Sequence, residues 1–288
     1  MRAIPKPTYV PNFVFQTCTG SVSDPGLRGR LNAISAEIGA AGVGYDNLAN
    51  LGRLHEIPPS SVGDEKFLVA DVTKAELKNL YGEQMIPRSK PARAIYDNLR
   101  LAAPGGKCPT CGFGQVFTID HFLPKAKFPW FSVLPENLVP SCRDCNTGKN
   151  ATAANDAQSF HPYYDETQLS QEQWIFAEVL NTSPVTVKYF VRAPQHWDDL
   201  LVQRATNHFR DYQIGSRFAV EAASELVVLA HSFTSPPMQL HAVRDALERR
   251  LRAERQQRSN SWQIALFEAL RESDWFCSLQ FAAVPKAG

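Results

Sequence analysis

Two Cys-x-x-Cys pairs, Cys108-Pro-Thr-Cys111 and Cys142-Arg-Asp-Cys145, stand thirty residues apart in a chain of 288. Each pair presents two thiolates at a spacing that suits tetrahedral zinc, and together they complete a four-sulfur site with no position left open for water. A closed site of this kind is structural. The two remaining cysteines, Cys18 and Cys277, lie far apart. That usage fits metal binding in a reducing compartment better than a disulfide framework, and it points to the cytoplasm.

The segment between the pairs is longer than a simple zinc ribbon uses, and it carries chemistry of its own. It contains Thr118-Ile-Asp120-His121-Phe-Leu-Pro124-Lys125 and Pro135-Glu-Asn137-Leu-Val-Pro140, and Cys145 is followed by Asn146-Thr-Gly-Lys149. Gln115 to Ile119 reads as a strand ending on Asp120-His121, and Cys145-Asn146 opens a short helix running towards Ala154. Phe128-Pro-Trp-Phe131 is an aromatic cluster that reads as packing.

These residues resemble the zinc-stapled form of the HNH (ββα-metal) endonuclease family: Cys-x-x-Cys, an apolar residue with Asp-His-x-x-Pro-Lys, then Asn-Leu-Val-Pro-x-Cys-x-x-Cys-Asn-x-x-Lys. The resemblance implies an α+β fold, with a zinc-stapled ββα-metal core embedded in a mainly helical scaffold. By position, Asp120 corresponds to the first ligand of a catalytic ion, His121 to the general base, Asn137 to the residue that pins the intervening loop, and Asn146 to the helix ligand. Asn146 stands where the family often has histidine, which leaves the site oxygen-rich and favours Mg²⁺ or Mn²⁺ over zinc. Structural Zn²⁺ then belongs to Cys108, Cys111, Cys142 and Cys145.

The implied reaction is hydrolysis of a phosphodiester bond in nucleic acid, with DNA ahead of RNA. His121, with an ordinary pKa of about 6.5, is a competent base near neutral pH, and a divalent ion can neutralise the leaving oxygen. On this reading His121 touches neither zinc nor core, so that His121→Ala leaves folding unchanged. The alternative is a zinc-stapled module that binds nucleic acid or protein without catalysis. Such a module needs the cysteines and has no need of Asp120, His121, Asn137 and Asn146.

Three segments follow: 1–103 as an N-terminal arm and helical scaffold, 104–165 as the nuclease core, and 166–288 as a small strand pair with a helical region. The first residues, with Tyr9-Val-Pro-Asn-Phe-Val-Phe15, read as an extended arm closing at Ser23-Asp-Pro-Gly26. Apolar spacing predicts one helix from Leu27 to about Ala41 with Gly39 and Gly42 as stop signals, and a weaker one over 45–54. Thr73 and Glu76 form a capping-box pattern ahead of a helix reaching Tyr81, and another helix spans 91–102. Trp174 to Leu180 and Val185 to Val191 read as strands, and successive helices follow from about Asp198.

His161, in Phe160-His161-Pro-Tyr-Tyr-Asp165, reads either as a surface histidine in a capped turn or as a further contact to metal or substrate. That segment, with Arg2-Ala-Ile-Pro-Lys-Pro7, is similar to HNH proteins of bacterial anti-phage defence, including the nuclease partner of Septu-type ATPases. The likeness implies an antiviral role with a regulatory protein partner such as an ATPase; a homo-oligomer is the competing arrangement. A net charge of +1 supplies little general attraction for a polyanion, so basic surface must be local. Arg88 to Arg100 and Arg244 to Arg258 are the clusters, read either as that local basic surface or as solvated helix faces, and the Arg249 to Arg258 face also reads as a docking surface. No apolar run is long enough to span a bilayer, and no Walker-type loop or internal repeat is present. Lys149 reads equally as a phosphate contact or a solvated lysine.

Overall fold

The structure, a computed structural model, describes residues 1–148 and 158–283. They fall into two units: Ala3–Asp165, and Met1–Arg2 with Glu166–Gly288. The fold is α+β and mainly helical, and the described strands make separate two-stranded antiparallel sheets.

The first unit opens on helices α1 (Pro11–Gly20), α2 (Pro25–Ala33) and α3 (Ser35–Asn50). The stretch expected to be extended is therefore helical. Pro11 sits in the first turn, where its missing N–H costs nothing, and Val14, Phe15 and Cys18 recur at helical spacing on the buried side. Packing of that face outweighs the β-propensity of Val and Phe. The helix expected over 27–41 also differs, because the chain breaks at Ile34 and α3 then runs through Gly39 and Gly42 to Asn50. Gly42 is a close-approach residue rather than a stop: a Cβ there would meet Leu134 Cδ1 at 3.2 Å. The weaker candidate over 45–54 is largely the continuation of α3.

Strands β1 (Phe67–Val69) and β2 (Val72–Thr73) form a small hairpin that leads into α4 (Lys74–Asn79). Both halves of the predicted capping box are made. Thr73 Oγ1 accepts from the Glu76 amide at 3.2 Å, and Glu76 accepts from the Thr73 amide at 2.8 Å. The chain continues as a π-helical turn, Leu80–Met85, and then α5 (Arg93–Leu101). Next come β3 (Thr118–His121), β4 (Leu138–Ser141) and the short helix α6 (Arg143–Gly148). The two strands are antiparallel, with Ile119 opposite Pro140 and His121 opposite Leu138.

Two apolar clusters hold this unit together, and each draws on both sides of residue 103. One joins Val14, Phe15, Leu31, Leu77, Tyr81 and Leu99 to Ile119, Val133 and Leu138. The other joins Ile4, Tyr45 and Leu54 to Phe122, Phe128, Phe131, Val139 and Tyr163. Side chains of α1 to α5 thus form the wall against which the inter-cysteine segment packs.

In the second unit, β5 (Ile175–Leu180) and β6 (Thr186–Val191) pair from Ile175 with Val191 to Leu180 with Thr186. Helices α7 (Asp199–Asp211), α8 (Ile214–Thr234), α9 (Leu240–Arg255), α10 (Trp262–Glu272) and α11 (Asp274–Cys277) follow. The sheet is covered by α8 and α10. Asn260, fully buried, ties the start of β5 in place. Its Oδ1 accepts from the amides of Trp174 at 2.9 Å and Ile175 at 3.3 Å, and its Nδ2 donates to the carbonyls of Gln168 at 3.2 Å and Glu172 at 2.6 Å. Among the described residues no helix is long and apolar enough to cross a membrane.

Candidate functional site

The four cysteine sulfurs converge. Cys108, Cys111, Cys142 and Cys145 are all buried, and their Sγ atoms lie within 4.8 Å of one another. Zn–S bonds of about 2.3 Å in a regular tetrahedron give S···S edges of about 3.8 Å, and Cys111 Sγ lies 3.8 Å from Cys142 Sγ. The residues fit the metal. Tight turns bring the sulfurs together, with the Gly112 amide on the Cys108 carbonyl and the Cys108 amide on the Gly114 carbonyl, both at 2.7 Å. Amides of Gly114 and Cys145 point at Cys111 Sγ and Cys142 Sγ at 3.4 and 3.5 Å, a backbone polarity that favours thiolates. A hydrogen bond from Cys108 pulls the Cys111 thiol far below its ordinary range and brings Cys142 down to about 6, while Cys108 and Cys145 are pushed up as proton holders. A bound zinc ion would take the place of those protons, with the four thiolates as its ligands. This is a four-cysteine cluster able to chelate a metal, set beside a small sheet and helix, and it is consistent with a zinc-binding module.

Gly114 is part of the same construction. A Cβ on it would meet Cys142 Sγ at 2.8 Å and Cys142 Cβ at 2.9 Å. The sulfurs leave no room for one.

His121 lies at the end of β3, and its ring is buried. Its Nε2 is 2.8 Å from the Ser132 carbonyl, and the Tyr81 ring meets it edge-on with centroids 4.4 Å apart. The expectation that His121 touches no core residue is therefore corrected, since Tyr81 belongs to the first apolar cluster. Asp120 precedes it on the opposite, half-buried face of β3 and lies near enough to Tyr81 for its charge to add to the burial that pushes that phenol up. Lys125 Nζ sits 5.0 Å over the same ring, and burial, with Lys78 nearby, lowers its pKa. Tyr81 is thus the common neighbour of three motif residues, and nothing in the sequence pattern marks it.

Asn137 is fully buried, and its side chain makes four hydrogen bonds. Its Oδ1 accepts from the Leu123 amide at 2.7 Å and from Tyr45 Oη at 3.1 Å, and its Nδ2 donates to the carbonyls of Leu123 at 3.0 Å and Phe131 at 3.1 Å. Both ends of the loop between β3 and β4 are fastened to this one amide. Tyr45, on α3, carries no motif signal.

Asn146 is exposed on α6, which packs against β3. Lys149 and the expected run of the helix to Ala154 lie outside the described residues. Among the described residues the four cysteines are the one group of three or more His, Cys, Asp and Glu side chains able to hold an ion.

His161 is not a surface residue. It is fully buried, with Nδ1 accepting from the Tyr163 amide at 3.2 Å and Nε2 at 3.1 Å from Tyr45 Oη. Both ring nitrogens are thus engaged within the fold. Its segment is fastened by Tyr163 Oη on the Leu138 carbonyl at 2.8 Å and Tyr164 Oη on Asp46 at 2.7 Å.

The basic clusters are largely spoken for. Arg93 and Arg100 pair with Asp97, and Lys90 donates to the Ser21 carbonyl. On the C-terminal face Arg250 pairs with Glu225, Arg252 with Glu248, Arg255 with Glu268 and Arg258 with Glu254, while Val243, Leu247 and Leu251 bury the other side of α9. That is the pattern of a solvated bundle helix.

Over 188 residues the chain is 40% identical to the protein ea31 of Escherichia phage lambda, a match covering 63% of this chain and 62% of that protein. The chain therefore spans less than two thirds of that relative's length. No family model matches the chain, and no solved structure matches it.

Proposed function

We propose that this protein is a zinc-stapled module that engages nucleic acid. The observation that supports it is the four-cysteine cluster, whose sulfur spacing fits a tetrahedral ion. The described geometry supports a binding role at least as well as catalysis, because the cluster alone builds such a module.

A second reading, a phosphodiester hydrolase of the HNH kind, is favoured by the surroundings of His121. A carbonyl oxygen only accepts, so the Ser132 contact makes Nε2 the protonated nitrogen and Nδ1 the basic one. An oriented imidazole of that tautomer can take a proton from water. Asn137 supports the reading as well, since it fixes the loop that carries Lys125 and Ser132. The order of antiparallel β3 and β4 followed by α6 is compatible with this reading. Asp120 and Asn146 are the residues that would hold Mg²⁺ or Mn²⁺, which would neutralise charge developing on phosphate oxygens.

Incubation of the zinc-loaded protein and of His121→Ala with plasmid, single-stranded DNA and tRNA, in Mg²⁺, Mn²⁺ or EDTA, separates the two readings. Cleavage by the wild type that needs the divalent ion and is lost in His121→Ala supports the hydrolase. Retention of nucleic acid in a mobility-shift assay without cleavage under any of these ions leaves the binding module, and neither binding nor cleavage overturns both.

A further inference from the structure

We propose that Tyr45 and His161 are positioning residues for the candidate site, acting through Asn137; the inference rests on the hydrolase reading and deepens it. The three side chains form one buried hydrogen-bonded chain, drawn from α3, the segment 158–165, and the end of the loop between β3 and β4.

The direction of that chain follows from its ends. The Tyr163 amide can only donate, so His161 Nδ1 is the acceptor and Nε2 carries the proton. Nε2–H then donates to Tyr45 Oη, which leaves the phenol hydrogen for Asn137 Oδ1. At Asn137 both oxygen acceptances and both amide hydrogens are used, the other three going to main-chain atoms of Leu123 and Phe131. Burial, reinforced by the charges of Tyr164, Glu136 and other neighbours, holds the Tyr45 phenol far above its ordinary pKa, so it stays a donor.

Aromatic packing holds the two rings in place. Tyr45 meets Phe131 edge-on at 5.0 Å between centroids, and His161 lies 4.0 Å from the Phe122 ring. Phe122 follows His121 directly, and its amide donates to the main-chain carbonyl of Asn137 at 2.8 Å. The Asn137 side chain, through its bonds to Leu123 and Phe131, holds the loop two residues beyond His121 on one side and one residue before Ser132 on the other. In water a free asparagine amide rotates among partners. Here a hydroxyl of fixed polarity selects one orientation, and in a buried network each satisfied bond strengthens its neighbours.

The test uses the full-length, zinc-loaded chain. Tyr45→Phe keeps the ring and removes the hydroxyl. His161→Gln keeps a side-chain amide that can donate to Tyr45, whereas His161→Phe does not. The expected result is a fall in kcat of about tenfold for Tyr45→Phe and His161→Phe with KM within about twofold, partial recovery in His161→Gln, and a Tyr45→Phe/His161→Phe double variant no worse than either single one. Amide hydrogen exchange across residues 122–132 should rise in the same variants at unchanged zinc content. Exchange and zinc content do not depend on turnover, so they judge the chain even if the wild type cleaves nothing and the hydrolase reading fails. Should Tyr45→Phe not fold, the His161→Gln and His161→Phe pair carries the same comparison. Wild-type kcat together with wild-type loop protection in Tyr45→Phe, or equal behaviour of His161→Gln and His161→Phe, would overturn the proposal.

Discussion

The His121 imidazole is oriented by the main chain, with Nε2 lying 2.8 Å from the Ser132 carbonyl oxygen. If Nδ1 works as a base, His121→Ala lowers cleavage by about 100-fold or more. The ring is also packed against Tyr81, so the same change leaves a cavity and costs ~2 kcal/mol of unfolding free energy. Zinc content should not change. Plasmid cleavage and urea unfolding, at matched zinc occupancy, check the two effects separately, and wild-type cleavage by the pure variant would end the catalytic assignment.

Gly114→Ala should loosen the metal. The added Cβ would stand 2.8 Å from Cys142 Sγ, a distance that forces either the turn or the sulfur to move and costs about 1–3 kcal/mol. Because a ligand shifts, the loss appears in zinc affinity as well as in stability. Competition with a chromogenic chelator is the measurement, and unaltered affinity would show that the turn yields without disturbing the sulfurs.

The staple and the Asp-His strand end are legible in the sequence because their spacing is local: each is set within a few residues. The strands of the second unit and the Thr73–Glu76 box are legible for the same reason. Partnership across distance is not. Tyr45 and Tyr81 sit in ordinary helical spacing, and only the folded chain brings them to Asn137 and His121. The N-terminal helix is hidden because Val and Phe favour strands in isolation, and burial against α3 reverses that preference. His161 reads in the sequence as a surface histidine in a capped turn or a contact to metal or substrate, and the folded chain buries its ring.

Cys18 makes alkaline stability a usable readout. Burial pushes its thiol up from 9.0 to about 12, so above pH 9 the unfolded chain releases a proton that the folded chain keeps. The unfolded state then binds fewer protons, and stability falls as pH rises from 9 towards 12, by at most about 1.4 kcal/mol per pH unit for this group. Buried tyrosines act with the same sign, so the difference between wild type and Cys18→Ala isolates the cysteine. Urea midpoints between pH 8.5 and about 10.5 should fall less steeply in the variant; parallel curves would remove Cys18 as the cause.

Asn260→Ala should be among the most damaging single changes in the second unit. It would leave the amides of Trp174 and Ile175 and the carbonyls of Gln168 and Glu172 without their side-chain partner. Losing a buried hub of this kind costs about 2–4 kcal/mol. The four-cysteine cluster belongs to the other unit, so zinc stoichiometry in the folded variant should hold. Chemical unfolding with parallel zinc analysis tests both halves, and a loss under about 1 kcal/mol would mean that the amides find other partners.

Nucleic acid, if it is the ligand, should meet Lys125 rather than the arginines of α9. Arg252 and Arg255 are already paired with Glu248 and Glu268, and a phosphate would have to displace a carboxylate from each to gain anything. Exposed pairs of this kind contribute little, and exchanging one anion for another contributes less. Lys125 is in the opposite condition. Burial and the nearby Lys78 disfavour its charge, its ammonium lies over the Tyr81 ring beside His121, and an arriving phosphate would relieve that penalty. Lys125→Gln should therefore reduce the slope of log affinity against log salt by about 1. Arg252→Ala and Arg255→Ala should leave both affinity and slope within about twofold. Fluorescence anisotropy of labelled duplex and single-stranded DNA, titrated over several salt concentrations, gives each slope directly. A larger loss in either arginine variant than in Lys125→Gln would move the binding face to α9 and away from the four-cysteine cluster.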